Sequence, residues 1–250
     1  MANELSVILD SELTKAECAL PKNFNKDRFV HNAIAMLNCN ENLAKFVAKS
    51  TTGLAQVKAG LMKAAMLNLD ALSDECYLIP YGSTLNFQTS YKGLIKLCML
   101  YSERPILEVY AKVVKDGDRF EERIENGNQV INFSPKPFNN GEVIGACAIV
   151  RFTDGGLLYD TMSVDELEYN RKTFSKVPNS PAWSKATNEM YKKTVLRRLL
   201  KTITLNFENT EQQASFKDDD FVVNKEPEEV EETDIYKDVI ESTATEVTDE

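Results

Sequence analysis

Histidine is all but missing from this 250-residue chain. His31 is the only one, and it lies in an apolar helical stretch with no partner for proton shuttling. Nucleotide triphosphates have no cradle, because neither a GxxxxGK[ST] loop nor a GxGxxG fingerprint is present. GxSxG and HExxH are missing too. The cysteines, Cys18, Cys39, Cys76, Cys98 and Cys147, are odd in number and never in CxxC spacing, which argues against a disulfide framework and against a zinc site. No apolar run approaches the roughly 18 residues of a membrane span. Met1 to Leu20 mixes acids with apolar residues and shows no basic-then-apolar leader pattern. The reducing cytoplasm is the expected compartment, with no membrane contact, cofactor or metal. Asp116, Asp118, Glu121 and Glu122 are material for metal-dependent hydrolysis, but they sit beside turn glycines without a matching lysine. A solvated hairpin is the stronger reading, and a catalyst is disfavoured.

Charge of one sign is unevenly supplied. The formal net charge is −10, yet residues 208–250 hold 16 acids and 3 bases while residues 1–207 hold 23 acids and 26 bases. A mildly basic body thus carries an acidic tail, an asymmetry that fits nucleic-acid contact. Three segments are expected: an N-terminal extension over 1–28, a core over 29–207, and an acidic, flexible tail over 208–250. The tail is expected to compete with nucleic acid for the basic surface.

Periodicity predicts the α+β class. From Phe29 to Leu69 the pattern is helical, and Leu54, Val57, Leu61, Ala64 and Ala65 mark one buried face. Residues 1–26 are weakly patterned and predict at most one short helix. Strand signals follow over Glu75–Pro80 and Thr84–Thr89, joined by a turn at Tyr81-Gly82-Ser83. Ser90 is a candidate N-cap for a helix from Tyr91 to about Tyr101. Further strands are read at Ile106–Val114, Arg119–Ile124, Val130–Phe133, Val143–Phe152 and Leu157–Met162. Asx-Gly pairs such as Asn126-Gly127 separate them. Together they predict a central antiparallel sheet with a packed helix. Ser163-Val-Asp-Glu166 is a capping box, and a long basic helix is predicted from Ser184 to about Thr204.

Two helices concentrate the bases. Lys92 and Lys96 share a face of the first, with Leu94, Ile95, Leu97, Cys98 and Leu100 expected on the buried side. On the second, Lys193, Arg197 and Lys201 form an i, i+4, i+8 stripe flanked by Lys192 and Arg198. No acid interrupts Tyr191 to Phe207, so the usual i,i+4 partners are missing and phosphates are the expected ones. Upstream, Arg171, Lys172, Lys176 and Lys185 flank Phe174 and Trp183, the mixture of cations and rings on which unpaired bases stack. Against this stand two plain alternatives: a solvated lysine face, and Trp183 as a core residue.

These residues also carry a resemblance. Asn68-Leu69-Asp70, then Cys76-Tyr77-Leu78-Ile79-Pro80-Tyr81-Gly82, then Phe87-Gln88-Thr89-Ser90-Tyr91-Lys92-Gly93-Leu94-Ile95-Lys96-Leu97 closely resembles the central motif of the RecT family of phage single-strand annealing proteins. Ser180-Pro181-Ala182-Trp183, followed by Glu189-Met190-Tyr191-Lys192-Lys193-Thr194-Val195-Leu196-Arg197-Arg198-Leu199, is similar to that family's second signature. The resemblance spans residues 30–205. It implies an α+β core distantly similar to the Red beta protein of phage lambda, and ATP-independent binding and annealing of single-stranded DNA in phage recombination. It also implies a homo-oligomeric ring or filament holding a strand and then the annealed duplex, a phage exonuclease as partner, and host SSB as a second partner. By motif, Lys92, Lys96, Lys193, Arg197, Arg198 and Lys201 would face phosphates. Asn86, Gln88 and Tyr91 would line the groove, and Met190 and Thr194 would pack. The acidic 208–250 segment departs from the helical C-terminal module of relatives, which puts partner recruitment through it in doubt. Three rivals stand beside this reading: a passive single-strand coat, a metal-dependent nuclease and a phage structural protein.

Overall fold

The computed structural model describes residues 2–175 and 177–220. The chain divides into two compact units, one of residues 2–101 with 205–220, the other containing Ser102–Thr204. Both mix helices with antiparallel strands, so the α+β class holds.

The first unit opens with α1 (Ala2–Lys15), where the sequence shows little pattern. Its apolar stripe is narrow but deep: Leu5, Leu9 and Leu13, four residues apart, are wholly buried. Burying each such leucine contributes about 2 kcal/mol, so residues 2–15 belong to the core rather than to an extension. The long helical stretch then splits into α2 (Lys26–Cys39), α3 (Glu41–Lys49) and α4 (Gly53–Met66). Asn40 makes the first break, ending α2 and accepting from Leu43 N at 2.9 Å to cap α3. Asn68 ends the series in the left-handed region at φ 54°. The amides of Asn68 and Leu69 donate back to the carbonyls of Ala65 and Ala64 at 3.0 and 2.8 Å, a Schellman stop in which asparagine replaces the usual glycine.

Strands β1 (Cys76–Tyr81) and β2 (Thr84–Thr89) form the expected hairpin. Gln56 of α4 clamps it, accepting from Leu85 N at 2.8 Å and donating to the Ser83 carbonyl at 3.0 Å. Ser90 then caps α5 (Tyr91–Tyr101), as read from sequence: its hydroxyl accepts from Gly93 N at 3.1 Å and donates to the Asp74 carbonyl at 2.5 Å. Gly93 is required here by space, since a Cβ would stand 2.0 Å from the Glu75 carbonyl oxygen.

In the second unit β3 (Ile106–Lys115), β6 (Val143–Phe152) and β7 (Leu157–Ser163) make a three-stranded sheet in the order β3-β6-β7. The intervening β4 (Arg119–Glu125) and β5 (Asn128–Ser134) pair only with each other. The strands therefore form one sheet and two separate hairpins, not a single central sheet. Asn126 and Gly127, at φ 50° and 80°, make the tight β4–β5 turn that their identities promise. Asp118, one of the acids weighed for metal chemistry, organises the neighbouring loop. It accepts from Asn139 Nδ2 at 2.7 Å and from the amides of Lys115 and Lys136 at 2.9 Å, and those bonds hold its carboxyl below the usual range. Helices α6 (Val164–Phe174), α7 (Pro181–Lys185) and α8 (Thr187–Leu200) complete this unit. β6 is buried continuously from Gly145 to Val150, with α8 packed against it.

The chain then returns to the first unit. Phe207 stacks between Tyr101 and Phe216 at ring separations of 5.0 and 5.4 Å. Phe216 lies on α9 (Thr210–Asp220), so the segment expected to be flexible from residue 208 is helical and docked through 220. An aromatic anchor outweighs the acidic composition there. The remainder of that segment, 221–250, lies outside the described residues.

Candidate nucleic-acid interface

The predicted basic helix of the second unit is shorter than its pattern. Ala186, at φ −127° and ψ 40°, separates α7 from α8, and the α-helix ends at Leu200. The capping box ahead of α6 forms as read: the Glu166 amide donates to Ser163 Oγ at 3.2 Å and the Ser163 amide donates to the Glu166 carboxylate at 2.9 Å. Around this frame the basic residues divide into two groups.

One group is committed to holding the unit together. Arg198 donates two bonds to Asp160, at 2.5 and 2.7 Å, and a third to the Thr161 carbonyl at 2.6 Å. Glu166 adds an ion pair at 3.7 Å, and the Asp160 bond first of all raises the Arg198 pKa. Arg171 donates to the Pro178 carbonyl at 2.6 Å, pairs with Glu168 at 3.3 Å and lies 5.4 Å over the Trp183 ring. Glu168 in turn accepts from Tyr191 Oη at 2.7 Å. Burial, then that bond, pushes the Tyr191 pKa up to about 12. Trp183 is a core residue: it is buried, its Nε1 donates to Ser175 Oγ at 3.2 Å, and it meets Tyr191 edge-on. It presents no platform for a base. Lys192 is paired with Glu189.

The other group faces outward. Lys172, Lys185 and Lys201 are exposed, and Arg197 is half-buried. Lys193 is distinctive, being half-buried on α8 with no carboxylate or hydrogen-bond acceptor on its ammonium among the described residues. Burial, and then the positive charge of Arg197, lowers its pKa. At about 100° per residue, Lys193, Arg197 and Lys201 progress along one side of α8, away from Tyr191 and Arg198, which reach α6. Met190 and Thr194 are half-buried, the Thr194 hydroxyl donating to the Met190 carbonyl at 2.8 Å. Lys176 lies outside the described residues.

In the first unit the bases meet acids. Lys92 pairs with Asp74 at 3.2 Å, both about half exposed, while Lys96 pairs with Glu75 at 2.6 Å in a more buried position. Glu75 also accepts from the Asp70 amide at 2.8 Å, so the Lys96 pair belongs to the turn entering β1. On β2, Asn86 stands opposite Ile79 and exposed Gln88 opposite Tyr77, flanking buried Phe87. Tyr91 is half-buried at the start of α5.

Sequence spacing did not reveal the acids that take Arg198 and Lys96, because Asp160 and Glu75 are reached through the fold and not along the helix bearing the base, whereas Glu168 stands three residues before Arg171 on α6 itself. The capping box was the available signal for Glu166, since an acid that closes a helix start stands where the next helix can use it. Among the described residues no group of three or more histidine, cysteine or acidic side chains converges as a metal site, and no helix is long and apolar enough to cross a membrane.

A cationic stripe on a helix braced by Arg198 and Tyr191 is the kind of surface on which sequence-independent phosphate contact rests. Residues 27–235 match the model of the RecT family, and the chain belongs to that family. It is 25% identical over 200 residues to Protein RecT of Escherichia coli strain K12, an alignment covering 76% of this chain and 71% of that protein. Family membership implies single-strand annealing in recombination.

Proposed function

We propose that this protein coats single-stranded DNA and anneals complementary strands without hydrolysing nucleotide, with Lys193 and Arg197 as the principal phosphate contacts. The observation that carries this is Lys193: a half-buried ammonium beside a second cation, with no acid to neutralise it among the described residues, has its electrostatic need met by a polyanion. Lys201, Lys172 and Lys185 extend the contact. In the first unit Lys92 meets a phosphate by exchanging Asp74 for it, and Asn86, Gln88 and Tyr91 contact the strand there. Arg198, Arg171 and Lys192 support it from within the protein, and Lys96 braces the turn beneath α5.

Annealing needs two polyanions brought together. Cations on the backbones remove the repulsion while base edges remain free to test pairing, and phosphate contacts read no sequence. One subunit offers few contacts, so tight binding comes from linked sites in a homo-oligomer. Work in the bacterial cytoplasm beside a phage exonuclease, with host SSB on the substrate strand, completes the reading. Residues 221–250 act as an acidic competitor for the cationic stripe.

The test is annealing of two complementary fluorescent oligonucleotides without nucleotide, comparing wild type with Lys193→Ala/Arg197→Ala. Acceleration by wild type, lost by tenfold or more in the variant, is expected. Binding without acceleration would leave a passive coat.

A further inference from the structure

Two aromatic rings of α6 are left in water. Tyr169 is 63% and Phe174 60% exposed, and their rings meet edge to face at 6.3 Å and 83°. Such a contact occupies little of either ring's outer face. Their helix is held firmly: the capping box fixes its start, Glu168, the residue before Tyr169, is bonded to Tyr191 of α8, and Arg171 is tied to the Pro178 carbonyl. The rings are therefore presented on a braced support, and the fold makes no core of them.

The charges around them suit a nucleic-acid strand. Exposed Lys172 lies between the rings in sequence. Glu166 and Glu168 are engaged by Ser163 and Arg198, and by Tyr191 and Arg171, which leaves exposed Asp165 one turn before Tyr169 and more than two turns from Phe174. Of the two aromatics that sequence composition favours, Trp183 is buried and Phe174 exposed, so stacking falls to Phe174 with Tyr169 beside it.

We propose that Tyr169 and Phe174 form a stacking platform for unpaired nucleobases, with Lys172 on the adjoining phosphate. The proposal rests on the single-strand reading above and adds to it how the protein tells a single strand from an annealed one. Bases in a duplex have their faces covered by neighbours, so pairing withdraws the platform's ligand while the phosphate contacts of α8 persist.

Affinities for a thymidine 30-mer and for an abasic 30-mer of the same backbone length provide the test. Wild type is expected to favour the thymidine strand about tenfold. Tyr169→Leu/Phe174→Leu should lose most of that preference while keeping its affinity for the abasic strand, which also shows that the variant is folded. The exchange Tyr169→Phe/Phe174→Tyr, which keeps both rings, should retain the preference. An equal loss on both strands, or an undiminished preference in the leucine variant, would overturn the proposal. If wild type bound neither strand, the single-strand reading itself would fall and this one with it.

Discussion

Helices α5 and α8 look alike as sequence and differ as chemistry. Each carries cations four residues apart beside an apolar face. On α5 both lysines meet carboxylates from the turn before β1. On α8 Arg198 is held by Asp160 and Glu166 and Lys192 by Glu189, while Lys193 has no anionic partner among the described residues. Spacing states which residues share a face, whereas availability for a ligand depends on what the rest of the unit brings to that face. The same helix shows both outcomes within five residues: Arg198 is structural and Lys193 is poised for a ligand.

That contrast can be broken most forcefully at Arg198. Replacing it by alanine leaves Asp160 and the Thr161 carbonyl without their shared donor, and stability in urea should fall by about 2 kcal/mol, with strand binding lost only as far as the fold is lost. Lys193→Met should act with the opposite sign. Removing a half-buried, unneutralised charge should stabilise the unliganded protein by about 1 kcal/mol at neutral pH, while weakening its hold on DNA.

The sign of the pH dependence follows from the lowered folded-state pKa of Lys193. Between that value and the ordinary lysine value of 10.5 the unfolded chain binds more protons, so this group's contribution to stability rises with pH. The advantage of Lys193→Met should accordingly shrink between neutral pH and 10.5. DNA affinity should move the other way, with wild type losing affinity on the alkaline side before Lys193→Arg does. A denaturation series and a binding series across that range check both.

A smaller effect sharpens the other side of the comparison. Asp74→Asn releases Lys92 from an exposed pair worth little to the fold. Strand affinity at low salt should rise about twofold, with stability unchanged within about 0.5 kcal/mol. Glu75→Gln should instead destabilise, because Glu75 also holds the Asp70 amide.

Much of this was legible beforehand where a local rule decides structure. Ser90 as a cap, the β1–β2 hairpin, the Ser163–Glu166 capping box and the Asn126-Gly127 turn each depend on a few adjacent residues, and each forms. α1 was not legible, because three leucines on a polar helix make a faint pattern until a core exists to receive them. The grouping of strands was equally hidden, since β-propensity does not say which strands pair. Within the candidate site, the stripe on α8 could be read from spacing. Its division into braced and outward cations could not, because Asp160 lies 38 residues from Arg198 and meets it only through the fold. Composition favoured Phe174 and Trp183 for stacking, but the fold buries Trp183 and leaves Phe174 outside together with Tyr169.

The most direct measurement is the salt dependence of single-strand binding for two double variants, Lys193→Ala/Arg197→Ala on α8 and Lys92→Ala/Lys96→Ala on α5. Each phosphate contact with a single strand contributes about 0.7 to the slope of log K against log salt. The α8 variant should lose about 1.4 from that slope, and the α5 variant no more than about 0.7, the share of Lys92 alone. A larger loss from α5 than from α8 would contradict the account, placing the main phosphate contacts on the helix whose lysines are already paired.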